Sequence, residues 1–227
     1  MKFVNRLKNV ALFDGLRVNQ LRTLSRYLTE VKYPRSTVIF REGERGHTLY
    51  IILEGKVRIE HIDPVSRRRN ILAILSAGDC FGEIAVVTNT GRTAAARTLG
   101  AAHLLVTDEE SFLRLIKEYP SIARNIMKSM AVKLYEANRI IENLVFKTLR
   151  GRLAAKLLDL AEKFGTKKKN GVEIGLTLSH FDLAELVGTN RETVTKMLRD
   201  FRSEGSLEVH KRMFLITDEE KLRAWIN

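Results

Sequence analysis

The spacing of apolar residues changes several times along this chain. Over residues 2–30, Leu12, Phe13 and Leu16 form an apolar knot, and Leu21, Leu24 and Leu28 follow at spacings of three and four. That predicts one or two short packing helices. From Val31 to about Asp108 the period drops to two. Val38 to Phe40, Thr48 to Leu53, Lys56 to Ile62, Ile71 to Leu75 and His103 to Val106 read as short strands. Turn residues at Glu42 to Gly46, Glu54-Gly55, Asp63-Pro64, Ala77 to Asp79 and Gly100 part them. Several short strands at near-regular spacing predict a closed antiparallel barrel or roll.

A helical period returns from Pro120 to Lys147. Ala123, Met127, Met130, Leu134, Ala137, Ile141 and Leu144 alternate steps of four and three, the a/d seam of a two-stranded coiled coil. At ~1.5 Å per residue the helix would be about 40 Å long, which favours a dimer axis. A core helix of a larger domain has the same periodicity. Lys128, Lys133, Glu136, Arg139 and Glu142 lie off the seam and are expected in solvent. After Gly151, Leu153 to Ala161 reads as an amphipathic helix, Phe164 to Glu173 as a polar loop and Leu176 to Leu178 as a short strand. Two helices follow on either side of Gly188, and Leu207 to Ile216 alternates around a basic turn. The expected class is α+β: a β-roll over 1–119, a dimerisation helix over 120–148 and a helical unit with a terminal hairpin over 149–227.

Composition adds two limits. The chain of 227 residues is 44% hydrophobic and 29% charged, as expected of a soluble globular protein. Its single cysteine, Cys80, excludes an intramolecular disulfide framework and a multi-cysteine metal or iron–sulfur site within one chain. The five histidines show no ligand spacing, so no metal is expected. The N-terminus lacks the features of a signal peptide, and no run approaches a membrane span, so a cytoplasmic protein is expected. The net charge of +12 points to an acidic partner. The segment from Arg150 onward carries fifteen basic and twelve acidic residues, so most of the excess lies before it. Local placement, not total charge, must identify where such a partner is met. No nucleophile–base pair or hydrolase motif is present, and no enzymatic activity is expected.

Two stretches carry chemistry. In the first, Gly78 to Ala94, Gly82 and Ala85 keep a turn open so that backbone N–H groups can approach an anion. Arg92 presents a planar donor fork for phosphate oxygens, and Thr93 adds a hydroxyl. Glu83, acceptor-only, suits a sugar hydroxyl. A structural Glu83–Arg92 ion pair closing the loop is the alternative.

In the second, Leu178 to Phe201, Ser179 with Asp182 and Thr189 with Glu192 resemble helix N-caps, the second as a capping box. Gly188 permits the turn of a helix-turn-helix. Arg191, Glu192, Thr195, Lys196 and Arg199 fall on the outer face of the second helix, whose N-terminal side chains meet base edges in the major groove of DNA. Arg191 matches guanine, Glu192 can accept from cytosine, and Lys196 can take a base edge or a phosphate. Lys211 and Arg212 sit at the following basic turn, placed for backbone phosphates as in the wing of a winged helix.

Phe81-Gly82-Glu83-Ile84-Ala85 followed by Arg92-Thr93-Ala94 resembles the phosphate-binding cassette of cyclic-nucleotide-binding domains. Tyr50 to Arg58 resembles the strand pair that opens those rolls, and Thr189 to Val194 resembles the matching DNA reader. Nearly the full chain resembles the cyclic AMP receptor protein / fumarate-nitrate regulator superfamily of bacterial transcription factors. The resemblance implies a cyclic-nucleotide-binding β-roll, a dimerisation helix and a winged helix-turn-helix. It implies cyclic AMP as allosteric effector, double-stranded DNA and RNA polymerase as partners, and a homodimer on a palindromic operator. Gly82, Glu83, Ile84, Ala85, Arg92 and Thr93 would hold the nucleotide, with Glu83 on the ribose and Arg92 on the phosphate. Ala137-Asn138 stands where cyclic-AMP-responsive members carry Thr and Ser, leaving Asn138 as the base contact. That departure keeps open a regulator answering to another small molecule or to none. Ser179, Thr189, Arg191, Glu192, Thr195, Lys196, Lys211 and Arg212 would meet DNA.

Overall fold

The computed structural model describes residues 4–66, 68–210 and 212–226. They form two compact units, with the boundary between Leu134 and Tyr135. In the first unit, helices α1 (Val4–Leu7) and α2 (Val18–Leu24) precede eight strands. These are β1 (Thr29–Tyr33), β2 (Val38–Phe40), β3 (Thr48–Glu54), β4 (Val57–Ile62), β5 (Arg69–Leu75), β6 (Cys80–Phe81), β7 (Ala95–Thr98) and β8 (Ala102–Asp108). A short helix α3 (Glu83–Thr88) lies between β6 and β7, and α4 (Glu109–Glu118) follows β8. The strands pair antiparallel in two sheets, β1-β8-β3-β6 and β2-β7-β4-β5.

Strand β3 shows why this roll holds together. Its residues are apolar without alternation because both of its faces are covered. Ile52 joins Phe40, Val57, Leu75, Phe81, Ala96 and Leu104 in one cluster. Leu49, Ile51 and Leu53 join a second cluster with Leu7, Phe13, Leu21 and Leu24 from the N-terminal segment and Phe112 and Leu115 from α4. Helix α4 starts on Asp108, whose carboxylate accepts from Ser111 N at 2.8 Å. Strands β1, β6 and β7 and helix α4 went unread in the sequence.

Helix α5 (Pro120–Phe146) is continuous over 27 residues. Its apolar residues form two stripes where the sequence reading saw one. Ile122 and Ile126 are buried in the second cluster, and Met130 packs against it. Met127, Leu134, Ile141 and Leu144 are between 53% and 63% exposed. Met130 therefore belongs to the roll-facing stripe, while these four leave an apolar ridge open to solvent in the single chain.

The second unit contains α6 (Leu149–Phe164), β9 (Gly165–Lys168), β10 (Gly171–Ile174), α7 (His180–Val187), α8 (Arg191–Ser203), β11 (Leu207–His210), β12 (Met213–Ile216) and α9 (Glu219–Ala224). The strands form one antiparallel sheet, β11-β12-β10-β9. The segment read as a polar loop is thus a hairpin, with Val172 opposite Lys167, and the strand expected over Leu176 to Leu178 is absent. Leu176 and Leu178 are buried nonetheless, and Leu178 N donates to Arg212 O. No helix among the described residues is long and apolar enough to cross a membrane.

The buried stripe of α5 carries the first prediction. Ile126→Ala should lower the unfolding free energy of the full chain by about 2–5 kcal/mol, as for other truncations of buried isoleucines, measured by urea denaturation.

Candidate functional site

The cassette begins where β6 ends. Gly82 has φ 83°, and a Cβ there would lie 2.6 Å from Arg92 Nη1 and 2.9 Å from Thr48 O. Both the backbone sign and the space demand glycine. Helix α3 starts at the next residue, with Glu83 buried in its first turn and Ala85 buried behind it. Ile84 is 40% exposed and Thr93 is exposed.

Arg92 is 5% exposed. Its Nη1 donates to Gly82 O at 2.9 Å and its Nη2 to Thr48 O at 2.8 Å. The guanidinium lies 4.2 Å from the centroid of the Phe40 ring and 5.7 Å from that of Tyr50, cation–π contacts in a desolvated setting. Tyr50 in turn stacks on Phe81, with centroids 5.1 Å apart. The loop after β2 closes over this arginine: Gly43 N donates to Arg92 O, Arg92 N donates to Glu44 O, and Arg45 bridges Gly91. A Cβ on Gly46 would come within 2.4 Å of Ala85 Cβ and 3.0 Å of Arg92 Nε. That Nε is buried without a hydrogen-bond partner. Burial lowers the Arg92 pKa, and the charges of Tyr50, Glu44 and Glu83 oppose the shift.

The ion pair weighed for Glu83 and Arg92 is not formed. Glu83 pairs instead with Lys133 of α5, Oε1 to Nζ at 2.7 Å, and the same ammonium donates to Cys80 O at 3.3 Å. Lys133 was expected in solvent, yet it follows Ile122, Ile126 and Met130 down the roll-facing stripe. That helical spacing was the available signal for its position. Arg92 keeps no carboxylate within ion-pair distance among the described residues. Cys80 is buried, and its thiol is pushed up to about 12 by burial first and then by the Glu83 charge. Gly82, Glu83, Ile84, Ala85, Arg92 and Thr93 all lie in the first unit. Asn138 lies on the exposed part of α5 in the second.

In the second unit, α7 and α8 pack through Leu183, Ala184, Val187, Val194, Met197, Leu198 and Phe201, all buried. The capping box falls on Ser179 and Asp182, not on Thr189 and Glu192. Gly188, at φ 72°, ends α7, and Thr189 N bonds back to Ala184 O. Thr189 is thereby still part of the turn. Asn190 caps α8, its side chain accepting from Thr193 N at 2.8 Å. Arg191, Glu192, Lys196 and Arg199 are exposed along α8. Thr195 is half-buried, its hydroxyl 2.8 Å from His180 Nδ1 and 2.8 Å from Arg191 O. Arg212 begins the return of the terminal hairpin with φ 69°. Lys211 lies outside the described residues.

Residues 30–119 match the profile of the cyclic nucleotide-binding domain, and residues 151–225 that of the Crp-like helix-turn-helix domain. The chain is 33% identical over 216 residues to the CRP-like cAMP-activated global transcriptional regulator of Mycobacterium tuberculosis, covering 95% of this chain and 96% of that one. It is 32% identical to the cyclic AMP receptor protein of Thermus thermophilus, covering 88% of each. A solved structure of a CooA mutant from Carboxydothermus hydrogenoformans superposes with a TM-score of 0.77 at 28% identity, covering 91% of this chain and 90% of the other. With a cyclic nucleotide-binding β-roll, a long helix and a helix-turn-helix in that order, and relatives of this similarity along nearly its whole length, the chain belongs to the CRP/FNR family of transcription regulators.

Proposed function

We propose that this chain is a homodimeric regulator that binds a two-fold symmetric operator when a cyclic nucleotide, cyclic AMP, occupies the cassette. One observation carries the ligand half: Arg92 is a buried guanidinium bonded to two carbonyls and paired with no carboxylate among the described residues. A desolvated charge left unpaired is costly, and an anion brought to it would relieve that cost. Glu83, in the first turn of α3, belongs to the same cassette and its carboxylate can accept from a sugar hydroxyl. The names of the Mycobacterium tuberculosis and Thermus thermophilus relatives favour cyclic AMP over other anions.

The Glu83–Lys133 pair supports the gating half. A sugar hydroxyl that hydrogen-bonds Glu83 competes with Lys133 for the same carboxylate. Lys133 stands on the helix that continues into the second unit, so a change in its pairing acts on the element that joins sensor to reader. The ligand shifts the protein only through its preference for the DNA-competent state, and couplings of ~1–3 kcal/mol are typical. The exposed ridge of Met127, Leu134, Ile141 and Leu144 supports pairing of two such helices. A dimer sets its two recognition helices about 34 Å apart, one turn of DNA. Ser179, Thr189, Arg191, Glu192, Thr195, Lys196, Lys211 and Arg212 are the DNA-facing set in this reading. RNA polymerase is the partner that transcriptional control requires. Ala137 beside Asn138 favours a second reading, in which the same pocket answers to a different small molecule or to none.

Calorimetric titration against cyclic AMP, cyclic GMP and 2-oxoglutarate separates the two readings. Cyclic AMP should bind, and Arg92→Ala should weaken it by about 1.5–3 kcal/mol, the range for hydrogen bonds to a charged group. Heat from 2-oxoglutarate alone would replace the effector. Arg191→Ala should remove roughly 1–3 kcal/mol of discrimination between operator and scrambled DNA, read by competition binding. Replacing Leu134→Asp together with Ile141→Asp should yield monomers by light scattering, and an intact dimer would refute the ridge as interface.

A further inference from the structure

His180 is the first residue of α7 and touches the recognition helix through its ring. Its Nδ1 lies 2.8 Å from Thr195 Oγ1, and that oxygen lies 2.8 Å from Arg191 O. A hydroxyl has one proton to give. Two oxygens at 2.8 Å need that proton between them, whereas an imidazole nitrogen can carry its own. The Thr195 proton therefore belongs to Arg191 O, and His180 Nδ1 donates. This assigns the tautomer: Nδ1 holds the hydrogen, and Nε2 on the opposite edge of the half-exposed ring carries a lone pair. Nε2 has no partner among the described residues.

We propose that His180 is a proton-linked DNA contact, its Nε2 taking up a proton as a backbone phosphate of the duplex comes beside it. The first helix of a helix-turn-helix crosses the DNA backbone while the second enters the groove. His180 sits at the N-terminal end of that first helix, against the recognition helix. An N–H at Nε2 is the donor a phosphate oxygen needs, and a lone pair there would repel it. Protonation thus converts the ring from an acceptor to a cationic donor while Nδ1 keeps its grip on Thr195. In the free protein the cation is disfavoured: burial lowers the His180 pKa, and the Arg191 guanidinium lowers it further. Asp182, on the same helix, has its carboxylate bonded to Ser179 N and Oγ. No charge from α6 or the terminal hairpin perturbs the ring among the described residues. A phosphate would offset Arg191 and raise the pKa in the complex. The sign follows from linkage. Affinity is flat above the pKa of the complex, rises as pH falls below it, and levels off below the depressed pKa of the free protein.

The inference rests on the helix-turn-helix and on no particular operator or effector, so an arbitrary duplex at low salt serves as the probe. The affinity of the full chain for such a duplex should rise from about pH 8 to about pH 6, approaching tenfold per pH unit for each contacting subunit in the steepest part. His180→Asn keeps a donor for Thr195 and cannot titrate in this range. It should bind within a few-fold of the parent at pH 8 and lose most of the rise. His210→Gln, a control at the terminal hairpin, should keep the rise. A slope in His180→Asn equal to that of the parent, or an affinity lowered by the same factor at every pH, would overturn the proposal. Should that variant fail to fold, NMR titration of the His180 ring in the unmutated protein decides. Its pKa must be higher with duplex than without, and an equal or lower value would refute the contact. Preference for one duplex sequence over another is a separate measurement, so failure here leaves the operator reading standing.

Discussion

The structure of the first unit turns on one buried cation. Arg92 sits behind a wall of backbone at 5% exposure, and nearly everything around it is arranged to keep a guanidinium there. Two carbonyls accept its Nη hydrogens, Phe40 and Tyr50 lie against its faces, and the loop from Arg41 to Gly46 closes over its backbone. A Cβ on Gly82 would strike Arg92 and Thr48 O, and one on Gly46 would strike Ala85 and crowd Arg92. These contacts hold the cation in place without neutralising it. A structural role alone would be better met by an aliphatic side chain of similar volume, since replacing a buried ion by apolar groups is often neutral or stabilising. The retained charge is the reason to regard the cassette as an anion site held ready.

Helix α5 serves three purposes with one sequence. Ile122 and Ile126 fasten it to the roll, Lys133 meets the cassette carboxylate, and Met127, Leu134, Ile141 and Leu144 face away. A rigid helix cannot satisfy these tasks independently. Any change at Glu83 that alters its hold on Lys133 is felt by a helix whose other stripe is exposed apolar surface. The helix that carries Lys133 is unbroken: neither Gly nor Pro interrupts it after Pro120.

The sequence revealed the architecture well where residue type and spacing carry a steric demand. Gly82 and Gly188 were legible because turns at positive φ need glycine there, and α8 because its apolar residues recur at helical spacing. Strands β6 and β7 were not, because Cys80–Phe81 is only two residues long and Ala95–Thr98 lacks a clear alternation; β1 has only two apolar residues, Val31 and Tyr33, and is fixed by its pairing with β8. Met130 was read with the seam of Met127 and Leu134, since all three satisfy the a/d spacing and only packing assigns Met130 to the stripe of Ile122 and Ile126. Glu83 illustrates the same limit for charges. Sequence proximity offered Arg92 as its partner, while the fold supplies Lys133 from fifty residues away.

In the helix-turn-helix, side chains divide between those that shape α8 and those left exposed on its outer face. Asn190 caps the helix, and Thr195 is held between Arg191 O and His180. Arg191, Glu192, Lys196 and Arg199 remain exposed on the same face. Thr195 looked like a base reader because it falls among them at the right spacing, yet its one hydroxyl proton already has an acceptor. A base edge approaching Thr195 would meet a filled donor and a methyl group, a surface suited to the thymine methyl more than to a hydrogen-bond partner. In the proposed reading the polar readout rests on Arg191, Glu192 and Lys196, while His180, at the start of α7, is tied to α8 through Thr195.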